Sequence, residues 1–424
     1  MLRRSRLVFL LLMAVQPLSG QTEASNESSN ESSFPRKQPS RRTWEHLVSL
    51  PGTVLYAPLW TTFKGVEHLV AFSREYHPID RVYRLFVTAD GRRGLFPRIG
   101  PKHGSGFSFF QKGLWGPQSQ LNMGLSGGLR GRRHLQLGLR RLPLFGSRVR
   151  TDFSARYRFL TTETFFGLGP DSRRADKSNY GHRYAEAELA VALPLGRDWL
   201  GLRLGLERNQ IEAGRNNSVP SITDGPEYSE STLPGLEKDA NLMRVTLEWQ
   251  RDGTNRPFRP SAGRRFVLRG GAHIQPDGDD FGFWQVSGDV RQYQHLVFNR
   301  IIVLRLGWQI TTELGDRRTP FYYTSELGSQ ETIRGFDRGR FRSDDTILGS
   351  VEYRYPISDG VDAFWFADAG QVTPNLFDGL QRDDLQYGYG GGIQHWNSTR
   401  IVSNLVISKS REQLRLYFGL NRTL

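Results

Sequence analysis

The chain has 424 residues, a formal net charge of +14 and no cysteine, which excludes disulfides, thiolate metal sites and a cysteine nucleophile. Beyond the N-terminus, no apolar run reaches the roughly 18 residues that a membrane helix requires. If the protein spans a membrane, it must therefore do so with strands.

The positive charge comes mostly from arginines that are dispersed through the strand-like part of the chain. They do not form a compact lysine-rich patch or a basic helix, so nucleic acid is not an expected partner. Arginines on the polar side of alternating segments instead predict a polar interior and contacts with anionic lipid head groups.

The N-terminal residues predict an export signal followed by a linker. Residues 1–20 combine a basic start with a short apolar core, Leu7–Val15, and small residues at the end, as a signal peptide does. Residues 21–42 are rich in serine and contain two Asn-Glu-Ser-Ser repeats, which predicts a disordered linker.

Residues 43–92 predict a short periplasmic helical segment and a lead-in to the strands. Apolar residues such as Leu59, Phe63 and Val66 recur at helical spacing. This segment either caps the mouth of the following domain or docks a partner, and the pattern alone leaves both interpretations open.

From about Arg81 the apolar period changes to two: residues 81–87 are strand-like, a turn follows at residues 89–91, and the barrel is expected from residue 93. The clearest example has apolar residues on one face and polar or small residues on the other: Leu200, Leu202, Leu204 and Leu206 alternate with Gly201, Arg203, Gly205 and Glu207. Short connections, such as 143–147 and 194–198, alternate with long polar ones, such as 212–240. A soluble sandwich also alternates, but the signal peptide and this arrangement of loops favour an outer-membrane barrel.

The predicted fold is therefore all-β. We expect a transmembrane antiparallel β-barrel of about 16 strands over residues 93–424, at ~10 residues a strand plus loops, with the short N-terminal helical segment before it.

Residues 313–343 form the longest polar connection, and their end carries Ile333-Arg334-Gly335-Phe336. The strand after this loop contains Glu352, and the next one contains Phe366-Ala367-Asp368-Ala369-Gly370, with both carboxylates on polar strand faces. An exposed loop arginine is one interpretation. The other is that the loop folds back inside the barrel, where Glu352 and Asp368 bind Arg334, because a buried arginine needs paired acceptors.

The Arg-Gly-Phe loop, the strand with Glu352 and the Phe366-x-Asp368-x-Gly370 strand resemble the end of the Omp85 superfamily barrel, also called the BamA/TamA-like or bacterial surface antigen family. Residues 165–172 and 250–263 are similar to it more weakly, and the resemblance covers about residues 95–424. It implies an internal-loop latch formed by Ile333, Arg334, Gly335, Phe336, Glu352, Phe366, Asp368 and Gly370. It also implies a weakly closed seam between the first and last strands, with candidate residues Gly106, Phe107, Leu416, Phe418 and Gly419.

The resemblance implies a protein of the bacterial outer membrane that assists insertion, assembly or translocation of client proteins. Larger family members carry repeated polypeptide-transport domains before the barrel, and residues 21–92 show no such repeat, so the chain either needs a separate periplasmic partner or exports one cargo. In the outer membrane, lipid or lipopolysaccharide is a further expected partner. The alternatives are a passive pore or surface-structural barrel, and an accessory of lipid or lipopolysaccharide transport.

No residues predict catalysis. Gly124-Leu125-Ser126-Gly127-Gly128 matches the pattern of a serine-hydrolase elbow, but it lies among strands and no helix follows it. The nine histidines are scattered, and no glycine loop for phosphate is present. We therefore expect no catalytic residues, no metal, no cofactor and no enzymatic activity.

Overall fold

The computed structural model describes residues 85–100, 104–146, 148–225, 227–256, 259–358, 360–396 and 401–422. The predicted signal peptide (1–20), the linker (21–42) and most of the predicted helical segment (43–92) lie outside these residues. Among the described residues, no helix is both long and apolar enough to cross a membrane.

Sixteen strands form one antiparallel sheet in which each strand pairs with the next one in the chain, and β11 pairs with β14. The count matches the predicted number. The strands are β1 Arg93–Gly100, β2 Gly104–Lys112, β3 Gln120–Gly127, β4 Arg133–Arg140, β5 Arg150–Phe165, β6 Ser178–Leu195, β7 Asp198–Ala213, β8 Ala240–Asp252, β9 Gly263–Ile274, β10 Gly282–His295, β11 Ile301–Glu313, β14 Asp345–Ser358, β15 Val361–Thr373, β16 Gln386–Trp396, β17 Ile401–Ser410 and β18 Leu414–Arg422.

Between β11 and β14, two short strands, β12 Ser325–Leu327 and β13 Phe341–Ser343, pair with each other. Four short 3-10 turns complete the described elements: Leu129–Gly131, Arg174–Asp176, Val297–Asn299 and Phe321–Tyr323.

The sheet is rolled, as contacts between distant connections show. In the β5–β6 loop, the Arg174 Nη2 atom donates a hydrogen bond to Gln413 Oε1 in the β17–β18 turn, at 2.7 Å. In a flat sheet β6 and β17 would lie nine strands apart, roughly 40 Å at about 4.8 Å a strand. Only a sheet curled into a barrel brings these two connections together.

The two faces of the sheet follow the period of two. Leu206, Met243 and Ile274 are neighbours across β7, β8 and β9, and all three are exposed on the outer face. On the inner face, Arg203 Nη1 contacts Glu188 Oε1 at 3.1 Å, and its Nη2 contacts Glu248 Oε2 at 3.2 Å. Apolar side chains outside and ion pairs inside suit lipid around the barrel and a polar lumen.

The connections differ in length between the two ends of the barrel. One end, which we call the loop end, carries the long connections 166–177, 214–239 and 314–344, whereas the opposite turn end carries short ones such as 196–197. The long connections and the tight turn at 196–197 lie where they were predicted, whereas the predicted tight connection 143–147 is part of a longer one, 141–149.

The outer face gives the first testable prediction. Leu247 is 64% exposed on β8, so Leu247→Arg places a charge in the lipid at a cost of about 2–4 kcal/mol near the bilayer centre. We expect a lower yield of folded barrel in lipid vesicles, measured by the shift in gel mobility on heating. Leu129→Arg, the same exchange in an exposed turn, is the control. Equal yields for the two variants would contradict the assignment of the lipid face.

Candidate functional site

The loop of residues 314–344 folds back against the inner wall through a small apolar core. The core consists of loop residues and side chains of β14 and β15: Leu327, Ile333, Phe336, Phe341, Leu348 and Val372. Phe336 and Phe341 pack edge to face with ring centroids 5.2 Å apart. Because Ile333 and Phe336 flank Arg334 and Gly335 and are fully buried, they fix the position of the charged residue between them.

Arg334 binds Asp368 through three hydrogen bonds. Its Nε donates to Asp368 Oδ2 at 2.7 Å, its Nη2 to Oδ1 at 2.6 Å, and its backbone N–H to Oδ2 at 3.1 Å. The Asp368 side chain has no solvent exposure, and that of Arg334 is 11% exposed. This fork-to-carboxylate geometry is the strongest form of charged hydrogen bonding available to arginine.

Glu352 occupies the other side of the guanidinium. Arg334 Nη1 donates to Glu352 Oε2 at 3.1 Å, and Arg354 Nε donates to the other oxygen of the same carboxylate. The Phe366 ring lies beneath the guanidinium, with its centroid 3.4 Å from the Arg334 Cζ atom, which adds a cation–π contact. The structure thus places Arg334, Glu352, Phe366 and Asp368 in one cluster.

Two glycines allow the loop to approach the wall. Gly335 has a φ of 99°, which favours glycine, and a Cβ there would lie 3.0 Å from Ser410. Its N–H donates to the Tyr417 hydroxyl at 3.0 Å, and its carbonyl accepts from Ser410 Oγ at 2.8 Å. At Gly370 a Cβ would lie 2.7 Å from the Ile347 carbonyl and 3.1 Å from Ile333.

Several further residues that were not predicted contact this cluster. Ser350 donates its hydroxyl to Asp368 Oδ1 at 2.6 Å and accepts from Arg334 Nη2 at 3.3 Å. Gly388 faces the loop backbone so closely that a Cβ would lie 1.9 Å from the Arg334 carbonyl oxygen. Ser350 is on the predicted polar face, so alternation could have indicated it, whereas nothing in the sequence marks Gly388.

A second arginine of the same loop binds a different part of the barrel. The Arg340 Nε atom donates to Glu412 Oε1 at 2.9 Å, and its Nη1 donates to Ser172 Oγ at 2.9 Å. A backbone bond from Gly169 to the Arg342 carbonyl, at 2.7 Å, joins the same two loops. The weaker family resemblance at residues 165–172 therefore falls on a segment that contacts the internal loop.

A third contact fixes the start of the loop to the opposite wall. The Tyr323 hydroxyl donates to Glu207 on β7 and accepts from Asn209 Nδ2 at 3.0 Å. Arg244 on β8 contacts Glu207 at 3.1 Å and Glu186 at 2.7 Å, and Arg156 contacts Glu186 as well, so each of these two carboxylates has a cation beside it. The internal loop is thus attached to β7 on one side and to β14 and β15 on the other.

Acidic residues tie the end of this loop to its neighbours. Asp345 accepts hydrogen bonds from the Thr311 N–H at 3.0 Å and from the Leu376 N–H at 2.8 Å. Burial raises the pKa of the adjacent Asp344 to about 6, and the nearby carboxylates of Glu313 and Asp345 act in the same direction. Because this pKa is above the ordinary value, the contribution of Asp344 to stability is complete at low pH and is lost as the pH rises through 6.

At the turn end, the β8–β9 connection reaches the far wall. Arg259 donates from Nε to Asp362 Oδ2 at 3.1 Å, and its Cζ atom lies 3.5 Å from the centroid of the Trp396 ring. The described part of this connection therefore contacts β15 and β16, so contacts across the lumen occur at both ends of the barrel.

The seam candidates occupy two different places. Leu416 and Phe418 lie on β18, the last strand of the sheet, with side chains exposed on the outer face, and Gly419 opposes Asn404 of β17. Gly106 and Phe107 lie on β2, which pairs with both β1 and β3. These two seam candidates therefore lie one strand in from β1, the first strand of the sheet.

The serine of the hydrolase-like pattern lies within a strand. Ser126 lies in β3, paired with Gly106 and His134, and a three-residue 3-10 turn follows it. Within the described part of the chain, no three His, Asp or Glu side chains are placed to hold a metal ion.

The latch gives the second testable prediction. Arg334→Ala leaves the fully buried Asp368 carboxylate unpaired, and breaking such a pair costs about 3–5 kcal/mol. We expect loss of heat resistance of the folded barrel in gel-mobility assays. Arg338→Ala, an exposed arginine of the same loop, is the control and is expected to match the unmodified protein.

The double variant Arg334→Ala/Asp368→Ala separates the contribution of the ion pair from that of the packing of the two side chains. Because it removes both charges, its loss of stability is expected to be smaller than the sum of the two single losses. Additive losses would show that the ion pair does not contribute.

The close approach at Gly388 gives the third prediction. Gly388→Ala forces the Arg334 carbonyl away from β16, and such overpacking costs about 1–3 kcal/mol. We expect faster protease cleavage within residues 314–344 of the folded protein. Gly349→Ala, where the nearest atom is 3.9 Å away, is the control. Equal cleavage rates would place the loop elsewhere.

The chain was compared with known proteins. The family model described as Omp85 superfamily domain matches residues 115–418, most of the chain. A comparison with curated proteins gives no match.

Among solved structures, BamA from Haemophilus ducreyi lacking POTRA domains 1-3 is similar, with a TM-score of 0.56 and 18% identity over 76% of this chain and 68% of that one. CdiB from Escherichia coli has a TM-score of 0.48 and 12% identity over 77% and 61%, and CdiB from Acinetobacter baumannii has 0.49 and 11% over 77% and 56%. The likeness to BamA shows a shared fold. Together with the family match, the rolled sheet and its apolar outer face, it leads to one conclusion: the chain belongs to the Omp85 superfamily and is a β-barrel of the bacterial outer membrane.

Proposed function

We propose that this barrel assists the insertion or the translocation of client proteins at the outer membrane. The observation that carries the proposal is the internal loop fixed by Arg334, Glu352 and Asp368 inside a barrel of this family. In the proposal the loop supports the lumen at rest, and a client is delivered by a periplasmic partner.

The lumen has an open side and a side that the internal loop occupies. A cavity of about 870 Å³ lies along the wall of β1 to β8, lined by charged residues that include Arg98, Asp152 and Arg203. On the other side, the loop occupies the space between β7 and β15. Because Tyr323 and Arg334 attach it to both walls, passage of a chain through that space requires at least one of these contacts to break.

A role without catalysis fits the same residues. The charged groups of the described inner wall mostly bind one another, as Arg203 binds Glu188 and Glu248, and Asp368 binds Arg334. Groups engaged in this way position backbone segments, and they are not held ready for proton transfer or nucleophilic attack.

A passive pore is the second candidate, and the charged cavity beside β1 to β8 favours it. In that case ions cross the barrel without any client. Transport of lipid or lipopolysaccharide is a third candidate function.

The testing experiment is depletion of the protein followed by quantitative proteomics of the outer membrane and of the secreted fraction. We expect a defined subset of proteins to fall at least about twofold before growth slows. Complementation with Arg338→Ala is expected to restore them, and Arg334→Ala is expected to restore them only in part.

Unchanged protein levels combined with ion conductance in planar bilayers would favour the passive pore and overturn the proposal. A changed outer-leaflet lipid composition without changed protein levels would favour lipid transport and would overturn it as well.

A further inference from the structure

The two terminal strands of the sheet expose different backbone edges, and the register shows which groups face outward. The Lys112 N–H donates to the Arg92 carbonyl, and the β1–β2 pairs continue in the same register. Bonded and non-bonded pairs alternate in an antiparallel ladder. Even-numbered residues of β1 therefore bond to β2, and the N–H groups at positions 93, 95, 97 and 99 point to the other edge.

The residues just before β1 occupy that edge. The Leu95 N–H donates to the Phe86 carbonyl at 2.8 Å, and the Arg93 N–H donates to Thr88 Oγ1 at 3.1 Å. The Thr88 N–H in turn donates to the Arg93 carbonyl at 2.9 Å. Residues 86–88 therefore form a short antiparallel partner of β1, which we call the edge cap.

The edge cap is held by a turn and by ring packing. Asp90 Oδ1 accepts from the Arg92 N–H at 3.0 Å, and Gly91 has a φ of 66°, so the chain reverses tightly. The Phe86 ring packs against that of Phe96, with centroids 5.7 Å apart. These contacts fix the cap without help from another strand.

Pro97 removes the next donor along the same edge. Proline has no N–H, and proline on a strand edge is a common way to prevent another strand from pairing. Of the four outward positions on β1, two N–H groups are bound by the cap and one is missing. Among these four positions, only Ile99 has an N–H that is neither bound by the edge cap nor missing.

The last strand of the sheet, β18, differs from β1 in the N–H groups along its free edge. The Ser410 N–H donates to the Gln413 carbonyl, so the bonded pairs place Arg415 and Tyr417 toward β17. The N–H groups of Leu414, Leu416 and Phe418 point to the outer edge, and no proline interrupts them. β18 therefore keeps the regular donors that β1 has lost.

We propose that the edge cap and Pro97 make β1 a protected edge that does not accept a strand from another protein over residues 93–97. This inference rests on the proposed function and refines it. If the protein handles clients by pairing strands, the pairing takes place along β18.

Hydrogen exchange in lipid nanodiscs tests the cap in the full chain, with residue resolution by NMR. We expect the Arg93 and Leu95 amides to be protected. Thr88→Val removes the acceptor of the Arg93 N–H, so exchange at Arg93 is expected to rise about tenfold, as the loss of one hydrogen bond predicts. The amides of Gly94 and Phe96, which face β2, are expected to stay unchanged. Thr223→Val, in a loop away from β1, is the control.

An Arg93 amide that keeps its protection in Thr88→Val would overturn the inference, because another strand would then hold that N–H. Fast exchange at Arg93 and Leu95 in the unmodified protein would overturn it too. Neither result depends on the insertion or translocation of a client protein, so the edge cap and the proposed function are tested separately.

Discussion

The structure depends on one buried ion pair between a loop and a wall. Asp368 has no solvent exposure, and a carboxylate in that position needs a cation and several donors. Arg334 supplies both, together with its own backbone N–H. The loop cannot move away without leaving this charge unpaired, and the wall strands are in turn stabilised by the loop. The position of residues 314–344 inside the barrel thus follows from electrostatics as much as from packing.

Other contacts of the internal loop connect it to further walls of the barrel, so that it crosses the lumen. Tyr323 binds Glu207 on β7, and Arg340 binds Glu412 beside β17. These strands lie on different sides of the rolled sheet, so the loop couples their positions. A movement that widens the barrel at one wall strains the contacts at the other. The loop therefore resists widening of the barrel at either wall.

Alternation along the strands made much of this predictable. It placed Glu352 and Asp368 on the lumen face and allowed the arginine of a glycine-containing loop to be matched to both. Alternation contains no information about which distant loops meet. Arg340 and Glu412 are 72 residues apart, and Tyr323 and Glu207 are 116 apart, so no local spacing could pair them. Alternation does not identify the first strand of the sheet either, because Gly106 and Phe107 of β2 alternate as well as any residue of β1.

The barrel has two parts that differ in how strongly they are held: the strands that the internal loop contacts, and the short strands β1 to β4. The loop contacts described above reach β7 and the strands from β14 to β18, whereas β1 to β4 have only eight or nine residues each. Short strands contain fewer ladder hydrogen bonds, and β1 has lost donors on its outer edge. The cavity beside β1 to β8 adjoins this weaker part of the wall. Separating these short strands therefore costs less free energy than releasing Arg334 from a buried carboxylate.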